Sequence, residues 1–171
     1  MFEVYLVLFF GIFTATVMIA LFLPEGALLR LFQPQMNVAG ITGRAFDPDF
    51  FWSVLSNNIL IFGVCFVLSI AYGAGSFLFL AWNATTWGAI FGYFMKSNFA
   101  LIVPALPHLL TETAAYIGAA IAGGILSKAL LTEKFFSQRF KYIATDSLIF
   151  VVLFLAILVL AATLEASIGL I

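Results

Sequence analysis

Five stretches of mostly apolar residues, each about long enough to cross a bilayer, recur along the chain between shorter and more polar segments. They cover residues 4–23, 51–72, 77–95, 108–126 and 146–164. A helix needs about 20 such residues to cross the hydrocarbon core of a membrane. The pattern therefore predicts an all-α, polytopic integral membrane helical bundle with about five transmembrane segments, forming a single domain over residues 1–171.

The third segment, residues 77–95, is the weakest of the five. Asn83 and Gly88 lie in its middle, and Trp82 and Trp87 flank the asparagine instead of lying at a membrane interface. Two interpretations are open: a plain span, or a helix that is broken or re-entrant within the membrane. Broken helices are tolerated there only where protein or water covers the backbone.

The distribution of basic residues predicts the orientation. Residues 127–144 hold four of the seven Lys and Arg residues against the single acid Glu133, which the positive-inside rule assigns to the cytoplasm. Counting through five spans then places the N-terminus in the cytoplasm, residues 24–50 in an external loop, and the C-terminus outside.

Composition narrows the class of protein further. The chain is 64% hydrophobic and only 9% charged, so the lipid bilayer is its expected environment. Its net charge of −1 gives no indication of nucleic-acid binding, which usually requires an excess of basic residues. One cysteine, Cys65, excludes an internal disulfide. Because the chain also lacks a phosphate-binding glycine loop and a nucleophile elbow, we expect no enzyme activity, no catalytic residue and no cofactor.

The most informative pair of residues is His108 and Glu112. His108 is the only histidine, and the spacing of four residues puts both side chains on one face of a helix. Ionisable residues inside membrane segments are costly, which makes them candidates for function. Two roles stay open: a structural clamp between helices, or a site for proton or substrate transport. Metal binding is a third reading, but one chain offers too few ligands, so no metal site is predicted.

Other polar residues lie within the apolar segments and need hydrogen-bond partners there. These are Asn57 and Asn58 in the second segment, Asn83 in the third, and Thr111 in the fourth. The simplest arrangement turns all of them toward one interior site around Glu112.

The fourth segment also carries small residues spaced four apart, a pattern that lets helix backbones approach closely. These residues are Gly118, Ala119, Ala120, Gly123 and Gly124. They fit close packing within one chain or, as the sharper alternative, the seam of a homodimer.

The order of these features resembles the stage II sporulation protein M family over about residues 52–128. The resemblance is carried by Asn57-Asn58, Asn83 followed by Gly88, Pro107-His108-x-x-x-Glu112-x-x-Ala115, and the small-residue run to Gly124. The chain departs from the family pattern at Leu109 and Ala84, where glycine is common.

The resemblance implies a small polytopic membrane protein with His108 and Glu112 as motif residues, and it does not define what they do. The member that gives the family its name resembles a five-span scaffold that helps to assemble a cell-wall-remodelling complex, a role not assumed for this chain. We therefore expect a non-enzymatic scaffold or partner-binding subunit that contacts other membrane or envelope proteins. The alternative is a small transporter or exporter subunit that uses Glu112 and His108.

Overall fold

The structure is a computed structural model that describes residues 2–38, 48–73 and 77–168. Part of the predicted external loop, residues 39–47, lies outside these ranges. Within them the chain is all-helical, without strands. Its α-helices are α1 (Phe2–Phe22), α2 (Glu25–Leu31), α3 (Gln33–Val38), α4 (Pro48–Tyr72), α5 (Phe77–Ser97), α6 (Ile102–Thr132) and α7 (Gln138–Ile168), with a 3-10 turn at Phe99–Leu101.

Four helical stretches are long and apolar enough to cross a membrane. They are Glu3–Phe22, Phe51–Tyr72, Phe99–Thr132 and Gln138–Leu164. The prediction of about five spans is not confirmed, because α5 is too polar to count among them. The broken or re-entrant alternative for this segment is not confirmed either, since α5 is one uninterrupted helix of 21 residues. Much of its length is buried, and the protein shields Asn83 and Thr86 in this way.

Helix α5 packs closely against α1 through two glycines that lie four residues apart. A Cβ atom on Gly88 would lie 2.7 Å from Thr16 Cβ, and one on Gly92 would lie 2.3 Å from Ala20 Cβ. Neither position has room for a side chain without movement. Small residues four apart allow this kind of close helix contact in membranes, and the pair on α5 therefore fixes how α1 lies against it.

The predicted small-residue run of α6 contacts neighbours within the same chain. A Cβ on Gly118 would lie 2.2 Å from the ring of Phe154 on α7, and one on Gly123 would lie 2.5 Å from the Phe66 carbonyl oxygen of α4. Ala119 and Ala120 are buried as well, whereas Gly124 has only the Gly73 carbonyl oxygen nearby, at 3.9 Å. The homodimer stays a prediction, but these residues are used inside one chain.

The short helices and the turns cover the two ends of the bundle. On α2, Leu28 is buried and Arg30 is exposed, as expected of a short helix at an interface. Nearby, Lys96 Nζ at the end of α5 donates to the Leu23 carbonyl oxygen at the end of α1. At the other end of α6, Arg139 Nε lies 3.1 Å from Glu133 Oε1.

Helices α6 and α7 extend beyond the apolar stretches seen in the sequence. Helix α6 begins at Ile102 instead of residue 108 and ends at Thr132. Pro104 lies in its first turn, where a backbone N–H has no helical partner, so this proline does not prevent an earlier start. The predicted basic loop 127–144 is correspondingly helical at both ends, and only residues 133–137 connect the two helices.

Candidate functional site

Glu112 lies on α6 with its carboxylate buried among aromatic side chains, and 5% of the residue is exposed. Trp87 Nε1–H of α5 donates to Glu112 Oε2 at 2.8 Å. The Tyr116 hydroxyl, one turn further along α6, donates to Glu112 Oε1 at 2.8 Å. Both carboxylate oxygens are therefore engaged, which is the condition under which a buried carboxyl group is tolerated.

His108 connects this carboxylate to a third helix. Its Nε2 lies 3.3 Å from Glu112 Oε2, and its Nδ1 lies 2.9 Å from the Ala161 carbonyl oxygen on α7. Its ring centroid is 5.1 Å from that of Trp87. We call Trp87, His108, Glu112 and Tyr116 the Glu112 cluster. It joins α5, α6 and α7 at one level of the bundle.

The geometry fixes one proton of the pair, on His108 Nδ1, and leaves two positions for the other. A backbone carbonyl oxygen only accepts, so His108 Nδ1 carries a hydrogen and donates it to Ala161. The Nε2 to Oε2 contact then needs one further proton, held either by the imidazole or by the carboxyl group. Both arrangements give the pair a net charge of zero, the form that burial in a low dielectric favours.

Within the described residues, the other predicted site residues make no hydrogen bond to Glu112. Asn83 is buried, but its Nδ2 donates to the Phe79 carbonyl oxygen of its own helix at 3.0 Å. Thr111 Oγ1 also bonds within its helix, at 2.8 Å from the Pro107 carbonyl oxygen. The hydroxyl and amide groups thus form hydrogen bonds to backbone carbonyl oxygens of their own helices, a common alternative to contacts between helices.

The two adjacent asparagines, Asn57 and Asn58, have different environments. Asn58 is buried, and its Nδ2 has no hydrogen-bond partner in the part of the chain that the structure describes. Asn57 is exposed, so the expectation that it faces the interior is wrong. Neighbouring positions on a helix differ by about 100°, and both side chains therefore cannot face one site.

Two partners of Glu112 were missed in the sequence. Trp87, whose position in the third segment drew attention only as an irregularity, is buried and is the donor from α5. Tyr116 lies four residues after Glu112, a spacing that could have identified it. No local signal could have identified Trp87, because its contact depends on how α5 packs against α6.

Metal ligation finds little support in the donor set. Among the residues that the structure describes, no group of three or more His, Cys, Asp or Glu side chains comes together. His108 and Glu112 are near each other, but both also bond elsewhere in the cluster. Two ligands are fewer than a stable site for a transition metal uses.

Fold and site together define a small all-helical membrane protein with a buried polar cluster joining three of its helices. The chain belongs to the stage II sporulation protein M family, whose model matches residues 4–169, nearly the whole sequence. No curated protein and no solved structure gives a significant match.

Proposed function

We propose that this protein is a non-enzymatic subunit of a membrane complex, which acts as a scaffold or binds partner proteins. The observation that carries the proposal is the burial and engagement of Glu112: the residue is 5% exposed, and both oxygens accept hydrogen bonds from within the bundle. A carboxylate that binds a substrate needs to be accessible, whereas this one is enclosed and joins α5 to α6 through Trp87.

The physical need for such a clamp comes from the membrane itself. Lipid tails are as apolar as leucine side chains, so the hydrophobic effect does not drive helices together there. Hydrogen bonds and close packing must supply the specificity. The cluster supplies two such contacts between helices, from Trp87 on α5 to Glu112 and from His108 to Ala161 on α7, and Tyr116 adds a third bond within α6.

A scaffold also needs a surface for its partners. Helix α2 offers Leu31 and Leu29, which are exposed beside the exposed Arg30 at the end of the bundle where α1 and α5 finish. A short helix with a mixed apolar and basic face suits contact with another envelope protein at the membrane surface. The orientation of this end, external in our prediction, sets which side the partner occupies.

Transport is the second candidate function, and one observation favours it. The proton between His108 and Glu112 has two acceptable positions, and protonatable pairs inside membranes are used as relays in transporters. In this alternative Glu112 exchanges a proton during a conformational cycle, and the hydrogen bonds from Trp87 and Tyr116 describe one state of that cycle.

Proteoliposomes distinguish the two functions. The wild-type protein and Glu112→Gln are reconstituted with a pH-sensitive dye inside, and proton movement is followed after a pH step or an imposed potential. The scaffold proposal expects no flux above that of empty vesicles from either protein. Wild-type flux that Glu112→Gln abolishes would replace it with the transport alternative.

The scaffold role itself is tested by purification from native membranes in mild detergent. A partner of fixed stoichiometry should accompany the wild-type protein and be lost from Leu29→Glu/Leu31→Glu. The melting temperature of this double variant is the control, since both side chains are exposed on a short helix. The purification is repeated after the membranes have been chemically crosslinked. If the wild-type protein still purifies without a partner, the proposal is contradicted.

A further inference from the structure

The α6–α7 turn, residues 133–137, and the helix ends beside it expose several large apolar side chains. Leu131 is 85% exposed, and Phe136 and Tyr142 are each about 70% exposed. The rings of Phe135 and Phe136 lie edge to face with their centroids 4.5 Å apart. Large apolar side chains of this kind are unfavourable in water, and as a group they mark a surface that contacts something else.

Phe136 also has a backbone conformation that its side chain does not favour. Its φ of 63° lies in the left-handed region, which non-glycine residues occupy rarely and at a cost. The Ser137 N–H donates to the Lys134 carbonyl oxygen at 2.9 Å, which closes a turn whose third residue is Phe136. A turn of this kind takes a positive φ at that position, so the turn holds the Phe136 ring outward, where it is mostly exposed.

Exposed cations surround this apolar surface. Lys128, Lys134 and Lys141 are exposed, and Arg139 is exposed although it pairs with Glu133. Across residues 127–144 the sequence holds these four basic residues and that single acid. The turn therefore combines a positive field with aromatic rings, and its partner should be both anionic and apolar.

Helix length places the turn at the level of the lipid headgroups. Helices α6 and α7 have 31 residues each, which corresponds to about 46 Å. The hydrocarbon core is about 30 Å thick and the whole bilayer about 40–45 Å. Helices of this length reach the headgroup layer at both ends, where an exposed aromatic side chain can rest on the acyl boundary.

We propose that the α6–α7 turn binds the headgroups of anionic phospholipids. The ammonium groups of Lys134 and Lys141 contact the lipid phosphates, and the rings of Phe135 and Phe136 contact the first methylene groups below them. This inference does not depend on the proposed function, because it concerns the opposite end of α6 from α2 and uses no residue of the Glu112 cluster.

Native mass spectrometry of the purified full chain tests the proposal, with phosphatidylglycerol and phosphatidylcholine of equal chain length as probes. The wild-type protein should bind phosphatidylglycerol more tightly. A lysine near a membrane surface is worth about a fivefold change in binding, so Lys134→Gln/Lys141→Gln should lose about 30-fold for the anionic lipid. The control Arg30→Gln/Lys96→Gln removes two exposed charges from the other end and should change little.

Two further variants separate charge from fold and from apolar contact. Lys134→Arg/Lys141→Arg keeps the charge and should keep the preference for phosphatidylglycerol. In Phe136→Asn the new residue tolerates the left-handed backbone conformation. This variant should bind both lipids more weakly, by the same factor, and keep the preference for phosphatidylglycerol.

Three results overturn the proposal. The first is equal binding of the two lipids by the wild-type protein, which would leave the positive surface to a protein partner. The second is an equal loss of phosphatidylglycerol binding in the control Arg30→Gln/Lys96→Gln. The third is a loss of that binding in Lys134→Arg/Lys141→Arg as large as the loss in Lys134→Gln/Lys141→Gln.

Discussion

Replacing Glu112 by glutamine is the sharpest perturbation of the cluster, because it changes hydrogen bonding while almost preserving shape. The wild-type carboxylate accepts from Trp87 at 2.8 Å and from Tyr116 at 2.8 Å, and it shares a proton with His108 at 3.3 Å. Glutamine has one oxygen and one NH₂ group at the same positions. The substitution therefore turns one of the two acceptor positions into a donor.

Neither orientation of the glutamine amide satisfies all partners. If its oxygen faces Tyr116, its NH₂ group donates to His108 Nε2 but meets the Trp87 N–H, donor against donor. If its oxygen faces Trp87 instead, the same oxygen also faces His108 Nε2. Because the imidazole hydrogen is on Nδ1 and bonds Ala161, Nε2 presents a lone pair, and the two acceptors repel each other. A buried polar group left unmatched costs about 1–3 kcal/mol, and we expect Glu112→Gln to be destabilised by that amount.

The assay is reversible unfolding in detergent, with Glu133→Gln as the matched control. Glu133 pairs with the highly exposed Arg139, and an exposed ion pair contributes about 0–1 kcal/mol. The donor clash also predicts a coupling: Trp87→Phe removes the opposing N–H, so the double variant should lose less stability than the two single losses together. Wild-type stability for Glu112→Gln, or strict additivity with Trp87→Phe, would refute this account of the cluster.

Two other perturbations have matched controls within the chain. Tyr116→Phe removes one donor to the Glu112 carboxylate and should cost about 1–2 kcal/mol in detergent unfolding, whereas Tyr142→Phe, at an exposed position, should be neutral. Gly92→Ala should cost about 1–3 kcal/mol, because the added Cβ would overlap a neighbouring helix. Its control, Gly63→Ala, should be neutral or slightly stabilising, because nothing lies within 4 Å of the added Cβ. Equal melting temperatures for these two alanine variants would contradict the packing seen here.

Local geometry accounts for what the sequence could predict. The proximity of His108 and Glu112 follows from a spacing of four on any helix and needs no tertiary information. The helical class follows from apolar segments of bilayer length. Helix ends were less accurate, because hydropathy reports where the apolar stretch stops, and a helix can continue past it into the headgroup layer.

Contacts between helices account for what the sequence could not predict. Trp87 reaches Glu112 only because α5 lies at one particular height and rotation beside α6. No rule based on a single segment defines that register. Asn57 shows the converse error: a polar residue in an apolar segment was assumed to face inward, but its immediate neighbour Asn58 occupies the inward position.

The pairing of α6 with α7 shows how polar contacts supply register where the membrane does not. His108 Nδ1 donates to the Ala161 carbonyl oxygen, and Ser147 Oγ donates to the Ala122 carbonyl oxygen at 2.9 Å. On each helix 14 residues separate the two contacts, about 21 Å along the axis, as two antiparallel helices in one fixed register require. Sliding by one residue would break both contacts. The Nδ1–H of His108, which both proton arrangements of the Glu112 cluster contain, is therefore also the donor that keeps α7 in place.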